Sequence, residues 1–365
     1  QSVAISRLDH AEGPLSPASR GESVVLRAAV DGADPRVLKL TSSAATQREA
    51  RHFKRHIENR LGGDYHTRLI SSTVFWDVGG SLYSLVGAGI TPPVSFSAAY
   101  SQTDDVEALV KPLEHFFDIV WRHHYRPSKP LPSASLETLY GQRTLKVKKK
   151  AEQISPKMLA DVLDHVDWEL IDPVDYLFNG GAGAAILQPV KQRITHGDLH
   201  GDNIFVDGDH TWVIDFGRTG PGYWLRDFVE LEMDIFTRLC PIEQPVNQSR
   251  FAAMTSASIT ALVSGTHTQL PPNLQDDPDL VKAVAVVDQV RDLARSCAVC
   301  ASAESTQSED PYGLPDHVQG EYMLALIYNC LFVAGMSRVE PSQRQRALIY
   351  AGQLAARHQT MQDSS

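Results

Sequence analysis

The sequence predicts an α+β chain in two lobes. A small antiparallel sheet with one helix is expected over residues 1–90, and a larger, mainly helical lobe over residues 91–365. Two pairs of β-type runs, each pair broken by turn-forming residues, fall inside the first lobe. One charged amphipathic segment separates the pairs and reads as a helix. After Gly87-Ala88-Gly89 the apolar spacing becomes helical, and from about Asp279 onward it stays mostly so.

The elements follow in order. The runs E-S-V-V-L-R-A-A-V (22–30) and R-V-L-K-L (36–40) flank D-G-A-D-P, a hairpin signal. Gln47 to Arg60 reads as a helix with Phe53, Ile57 and Leu61 on one face. Leu69–Trp76 and Leu82–Val86 flank Gly79-Gly80, the expected turn of a second hairpin. Val106 to His124 has helical spacing, with Leu109, Leu113, Phe116, Phe117, Val120 and Trp121 on its apolar side. Pro127–Pro132 reads as a linker, Lys146–Lys150 as a solvated basic run, and Gly180–Gly183 as a loop.

Composition narrows the class. Of 365 residues, 42% are hydrophobic and 21% charged, which excludes a disordered tail, a collagen or a coiled-coil rod. The net charge of −10 repels phosphate backbones, so no nucleic-acid partner is expected. The best apolar stretch, Met323–Gly335, is interrupted by Asn329 and falls short of the ~20 residues a spanning helix needs, so no membrane partner is expected either. Four cysteines make no disulfide scaffold, and the lone C-x-x-C at Cys297 and Cys300 is a weak metal signal. Reduced thiols and a cytoplasmic location are the simplest reading. The chain opens on Gln1 without a basic and apolar leader, which fits a part of a larger polypeptide or complex.

The stretch I-T-H-G-D-L-H-G-D-N-I-F-V-D-G-D-H-T-W-V-I-D-F-G carries the chemistry. Ile204-Phe205-Val206 and Thr211-Trp212-Val213-Ile214 are β runs around a tight turn. That hairpin brings Asn203, just before its first strand, next to Asp215, just after its second. One amide and one carboxylate oxygen suit Mg²⁺, which binds few protein oxygens and otherwise waters and phosphates. Asp198 lies on the loop just before, within reach of the same place.

With His196, Asp198 and Asn203 matching H-x-D-x-x-x-x-N, and Asp215-Phe216-Gly217 following as D-F-G, this core resembles the protein-kinase-like superfamily. The form H-G-D-L-H is similar to the aminoglycoside phosphotransferase and choline kinase branch. The resemblance implies a bilobal protein-kinase-like fold with a catalytic loop over 194–217, ATP as co-substrate and Mg²⁺ as cofactor. Upstream it implies a strand lysine, Lys39 in R-V-L-K-L, and a helix carboxylate, Glu49 rather than Glu58, that steadies it. It implies a phosphate-covering loop, where only Gly21 fits a close-approach glycine and Ser16, Ser19 and Ser23 offer hydroxyls; the usual G-x-G-x-x-G is missing. It implies a purine-binding hinge at Leu85, Val86 and Ala88. Asp227 is expected to buttress the catalytic loop, and His196 to pack beneath it. The stretch G-R-T-G-x-G-x-x-L-R-D-F also resembles kinase-like domains of bacterial conflict and multidomain signalling proteins.

The function implied is transfer of the γ-phosphoryl group of ATP to a small-molecule hydroxyl, with Asp198 as base and Asn203 and Asp215 on the metal. Only R-T-G-P-G-Y-W-L separates Gly217 from Arg226-Asp227, which leaves no platform for a peptide and favours a small acceptor. Glu230, Glu232 and Asp234, with Asp167, Glu169, Asp172 and Asp175, are expected to border the acceptor cleft and to favour a cationic amino sugar or amino alcohol. Two other readings remain open: a protein kinase acting on one partner or on itself, and a nucleotide-binding module without transfer.

Overall fold

The computed structural model describes residues 3–7, 23–30, 35–62, 65–86, 93–125, 131–142, 145–165, 169–208, 210–241, 248–301, 314 and 316–364. The phosphate-covering residues Gly21 and Ser19, and Ala88 of the hinge, lie outside them.

Five strands form the first layer: β1 (Val3–Arg7), β2 (Val24–Val30), β3 (Arg36–Ser42), β4 (Leu69–Phe75) and β5 (Val78–Ser84). Every pairing is antiparallel and the order is β1-β2-β3-β5-β4. The first hairpin lies where its β-branched runs put it, with Leu26 opposite Leu38. Helix α1 (Ser43–His52) starts earlier than its charge pattern suggests, because Ser42 accepts a bond from the Ala45 amide and caps it. It loosens into a wide turn at Phe53–Ile57, and Phe53, Ile57 and Leu61 are all buried as their spacing implies.

The second hairpin corrects the sequence reading. Gly79 and Gly80 sit inside β5, and the turn falls at Trp76-Asp77, with Trp76 in a left-handed conformation at φ 55°. The glycines answer to packing instead. A Cβ on Gly79 would lie 2.2 Å from the Thr46 hydroxyl oxygen, so its absence lets α1 lie close on the sheet.

The second part is mostly helical, with strands only where the loops need fixing. A short strand β6 (Val94–Ser95) leads into α2 (Phe96–Gln102) and α3 (Val106–Glu114), capped by Ser95 and Asp105 respectively. The hairpin Ile204–Asp207 and His210–Val213 forms as read from its β runs, and β6 pairs with its first strand. A second ribbon pairs Gln192–Thr195 with Gly220–Tyr223. Around them pack the helices Arg226–Asp234, Gln248–Ser264, Pro278–Ala301, Asp316–Ala334 and Pro341–Asp363. The helix over Gln248–Ser264 carries no sequence motif and was not anticipated. Phe117 stacks on Phe228 with ring centroids 4.0 Å apart, and Trp121, Phe116 and Leu113 complete that part of the core. The described residues thus form an α+β fold, an antiparallel sheet with one helix followed by a mainly helical part. No helix among the described residues is long and apolar enough to cross a membrane.

The apolar stretch at Met323–Gly335 is a buried core helix, as expected, and ends where it meets another backbone. A Cβ on Gly335 would lie 2.1 Å from the Lys150 carbonyl oxygen. Gly335→Ala is therefore expected to lower stability by about 1–3 kcal/mol, the usual cost of overpacking. Urea unfolding checks it, and a loss below about 0.3 kcal/mol would contradict the close approach.

Candidate active site

The hairpin does what its turn requires. The Ile214 amide donates to the Asn203 carbonyl at 3.1 Å, one step beyond the Ile204–Val213 pair. Asn203 and Asp215 therefore flank the closed end of one ladder. Asp215 itself is left-handed, at φ 61°, a conformation that Asp tolerates better than most residues. Its Oδ1 accepts from the Gly217 amide at 3.3 Å.

Lys39 joins the two lobes here. Its Nζ lies 3.0 Å from Glu49 Oε2 and 2.9 Å from Asp215 Oδ2. Tyr83 on β5 donates its hydroxyl to the other Glu49 oxygen at 2.7 Å, so Glu49 is held from two sides. Glu58 takes no part in this set. Burial alone would lower the Lys39 pKa, but Asp215 and then Glu49 outweigh it and the ammonium is held above its ordinary value. Burial would raise Asp215; Lys39 overcomes it and holds that carboxylate below its usual range. Glu49 moves the other way, raised by burial and by Asp215 beside it. One ammonium thus serves two carboxylates, and Asp215 is the more firmly ionised of them. Phe216 is fully buried against Phe53 and His66, with centroids at 5.7 and 6.2 Å, which ties the D-F-G stretch to the end of α1.

The loop 196–203 is fixed from below. His196 is buried and donates Nε2 to the Ile214 carbonyl at 2.9 Å, as expected of a packing residue. Burial lowers its pKa, so the ring stays neutral. Gly197 adopts φ 77°, and a Cβ there would lie 2.7 Å from the Arg218 carbonyl. Asp227 accepts from the His196 amide at 2.8 Å, the Gly197 amide at 2.9 Å and the Tyr125 hydroxyl at 2.7 Å. It buttresses the loop as expected.

Its neighbours overturn an expectation. Glu230, Glu232 and Asp234 do not border a cleft; all three are buried and committed to protein partners. Glu230 accepts from the Leu199 amide at 2.9 Å and pairs with Arg226 at 2.8 Å. Burial pushes its carboxyl up to about 7, against the pull of Arg226. Asp234 accepts from the Gly201 amide at 2.8 Å and pairs with Arg238. Glu232 faces the other way, to Arg291, Tyr322 and Tyr350. Upstream, Asp172 caps the helix Pro173–Phe178 and Asp175 accepts from the Asn179 side chain. The side chain of Asp167 lies outside the described residues. The spacing 227, 230, 234 places three carboxylates on one helix face, a signal present in the sequence but read there as loop support only at Asp227 and as cleft lining at Glu230 and Asp234.

Asn203 donates its amide to the Asp198 carbonyl at 2.8 Å and lies 3.1 Å from His200 Nε2. Its side-chain oxygen is left free of these bonds, so Asn203 and Asp215 together offer one neutral and one charged oxygen, a donor set suited to a hard cation. Among the described residues no group of three or more His, Cys, Asp or Glu is arranged to hold a metal, Cys297 included. Asp198 is paired with Arg218, Nη1 to Oδ1 at 2.7 Å, a contact the sequence reading missed. Leu85 and Val86 follow the end of β5, where the hinge was expected.

Comparisons place the chain beside known proteins. The family described as ternary complex associated domain 9 matches residues 184–309. Among solved structures, a glucosamine kinase in complex with glucosamine, ADP and inorganic phosphate is similar at 12% identity and TM-score 0.49, covering 99% of this chain and 83% of that one. Choline kinase from Cryptosporidium parvum Iowa II is similar at 10% identity and TM-score 0.48, covering 99% and 89%. A thermostable mutant of an aminoglycoside phosphotransferase is similar at 14% identity and TM-score 0.43, covering 89% and 94%. No curated protein matches the sequence.

Asp227→Asn tests the loop support. An amide has one oxygen where the carboxylate serves three donors, so at least one buried N–H loses its partner. A loss of about 2–4 kcal/mol in chemical unfolding is expected. A change below about 0.5 kcal/mol would show that the loop does not depend on this carboxylate.

Proposed function

We propose that the chain is an ATP-dependent phosphotransferase that moves the γ-phosphoryl group to a hydroxyl of a small molecule. The observation that carries this reading is the Lys39 bridge between Glu49 and Asp215. An ammonium mostly screened from solvent, yet reached through the partly exposed Asp215, and fixed by two carboxylates, suits the fixed charge that nucleotide phosphates require.

In the proposed reaction Lys39 binds and partly neutralises the phosphates. Asn203 and Asp215 would hold Mg²⁺, which when bound supplies charge neutralisation at the phosphates. Gly21, Ser19 and the hinge residues Leu85, Val86 and Ala88 are proposed to contact the nucleotide. Asp198 orients the acceptor hydroxyl and takes its proton as the new P–O bond forms. The bond from the γ-phosphorus to the bridging oxygen breaks, and ADP leaves. Positioning and preorganised charge do most of this work.

A small acceptor is supported by the short segment after D-F-G. Gly220–Tyr223 pairs as a strand with Gln192–Thr195, so this stretch is used within the fold and forms no extended peptide platform. The cationic amino sugar or amino alcohol expected from the acidic segments loses the part of its basis that lay after D-F-G, because Glu230, Glu232 and Asp234 are spent on internal bonds.

Asp198→Asn keeps the side-chain volume and removes the base. ADP release and phosphorylated product, followed with Mg·ATP and a panel of hydroxyl compounds, are expected to fall about 10²–10⁴-fold in the variant. Turnover within tenfold of the unmutated protein would overturn the role of Asp198. A product found only on the protein itself would favour self-phosphorylation.

A further inference from the structure

Arg218 follows directly on D-F-G and is not used by the reaction just described. Its guanidinium donates Nη1 to Asp198 Oδ1 at 2.7 Å. Its carbon centre sits 5.2 Å from the centroid of the Phe332 ring, which is itself buried. A cation over an aromatic face is held in place without using its N–H groups. Guanidinium carries five N–H donors, and among the described residues only the bond to Asp198 occupies one of them. The side chain is 22% exposed and that of Asp198 is 29% exposed, so the pair is partly open to solvent.

Three of the carboxylates expected to make this space acidic are turned inward. Glu230 and Asp234 bind loop amides and arginines, and Glu232 is fully buried with Arg291. Lys39, the other cation of the cleft, already serves Glu49 and Asp215. Arg218, though paired with Asp198, keeps N–H donors to spare beside it. An acceptor hydroxyl must lie within hydrogen-bond distance of Asp198. Substituents next to that hydroxyl then fall within reach of the Arg218 fork, whose planar donor pair matches a carboxylate or phosphate.

We propose that Arg218 is a specificity-determining residue, and that it selects a small acceptor carrying an anionic group, a carboxylate or a phosphate, close to the reacting hydroxyl. The proposal rests on the phosphotransferase reading above and names its substrate class. The Arg218–Asp198 pair is the resting state of this selection: the acceptor's anion takes the free donors, and its hydroxyl meets the same carboxylate.

Binding and transfer are measured separately. Calorimetric titrations with Mg·AMP-PNP present use four small hydroxyl probes: glycerol 3-phosphate, glycerate, glycerol and ethanolamine. The unmutated protein is expected to bind the two anionic probes at least tenfold more tightly than the neutral and cationic ones. Arg218→Gln is expected to bring all four within about threefold, and Arg218→Lys to restore part of the preference, since charge returns without the fork. Ethanolamine or glycerol binding as well as the anions to the unmutated protein would overturn the proposal, whatever the variants do. So would a preference that survives in Arg218→Gln. A variant with unchanged acceptor KM and reduced kcat would also overturn it, by assigning Arg218 to the moving phosphoryl group. The same probes with Mg·ATP, analysed by mass spectrometry, separate the two readings. An Arg218-dependent preference for anions without any phosphorylated product upholds the selection and sinks the transferase; product formed only from ethanolamine does the reverse.

Discussion

Three carboxylates on one face of the helix Arg226–Asp234 hold four backbone amides of the loop below Asp198. Asp227 takes those of His196 and Gly197, Glu230 that of Leu199, and Asp234 that of Gly201. Every residue of this helix is buried. Buried carboxylates are costly unless they are paired and hydrogen-bonded. Here Arg226 and Arg238 supply the countercharge, and the loop supplies the remaining donors. The loop in turn has amides that no sheet or helix would satisfy. Each side removes the other's penalty, and the result is an irregular loop whose amides find partners without regular secondary structure. Arg238 extends the lattice to Asp202 and Ser97, and Glu232 ties the helix to Arg291, Tyr322 and Tyr350 on the helices behind.

The second polar system faces the other lobe. Lys39, Glu49 and Asp215 come from a strand, a helix and the end of a hairpin, and they meet only when both lobes are folded together. Phe216, locked against Phe53 and His66, keeps Asp215 aimed at the lysine. Beside these two systems lies a further ion pair that is partly open, Asp198 with Arg218. The polar groups of this molecule thus divide by function. Those that are fully satisfied hold the loop, and those with donors or oxygens to spare, Lys39, Asn203, Asp215, Asp198 and Arg218, surround the space where chemistry is proposed.

Much of this was legible in the residues. The hairpin over 204–213 follows from two β runs and a tight turn, and it alone brings Asn203 beside Asp215. Lys39 and Glu49 followed from the resemblance, and their ion pair forms. The failures have physical reasons. Gly79-Gly80 looks like a turn because glycine is common in turns, but a glycine in a strand also admits a helix, and Thr46 lies against it. Glu230, Glu232 and Asp234 were expected to line the acceptor cleft because charged side chains are seldom fully buried. Only their placement against Arg226, Arg238 and the loop amides, which depends on the tertiary fold, shows them to be internal. Arg218 went unassigned for the same reason: a partner twenty residues earlier in the chain, Asp198, is invisible to local pattern. Tyr83 is a further case, since nothing in its strand announces a bond to Glu49.

The central claim is that the partly exposed Lys39 bridge is a nucleotide-phosphate site. The rise in melting temperature on adding Mg·ATP, compared between the unmutated protein and Lys39→Met, tests it most directly. Each protein serves as its own reference, so any intrinsic loss of stability in the variant cancels. A ligand at about 100 times its dissociation constant stabilises by about 2.7 kcal/mol. The account predicts a rise of several degrees for the unmutated protein and less than a third of that rise for Lys39→Met. An equal rise in both, or none in the unmutated protein, would contradict it.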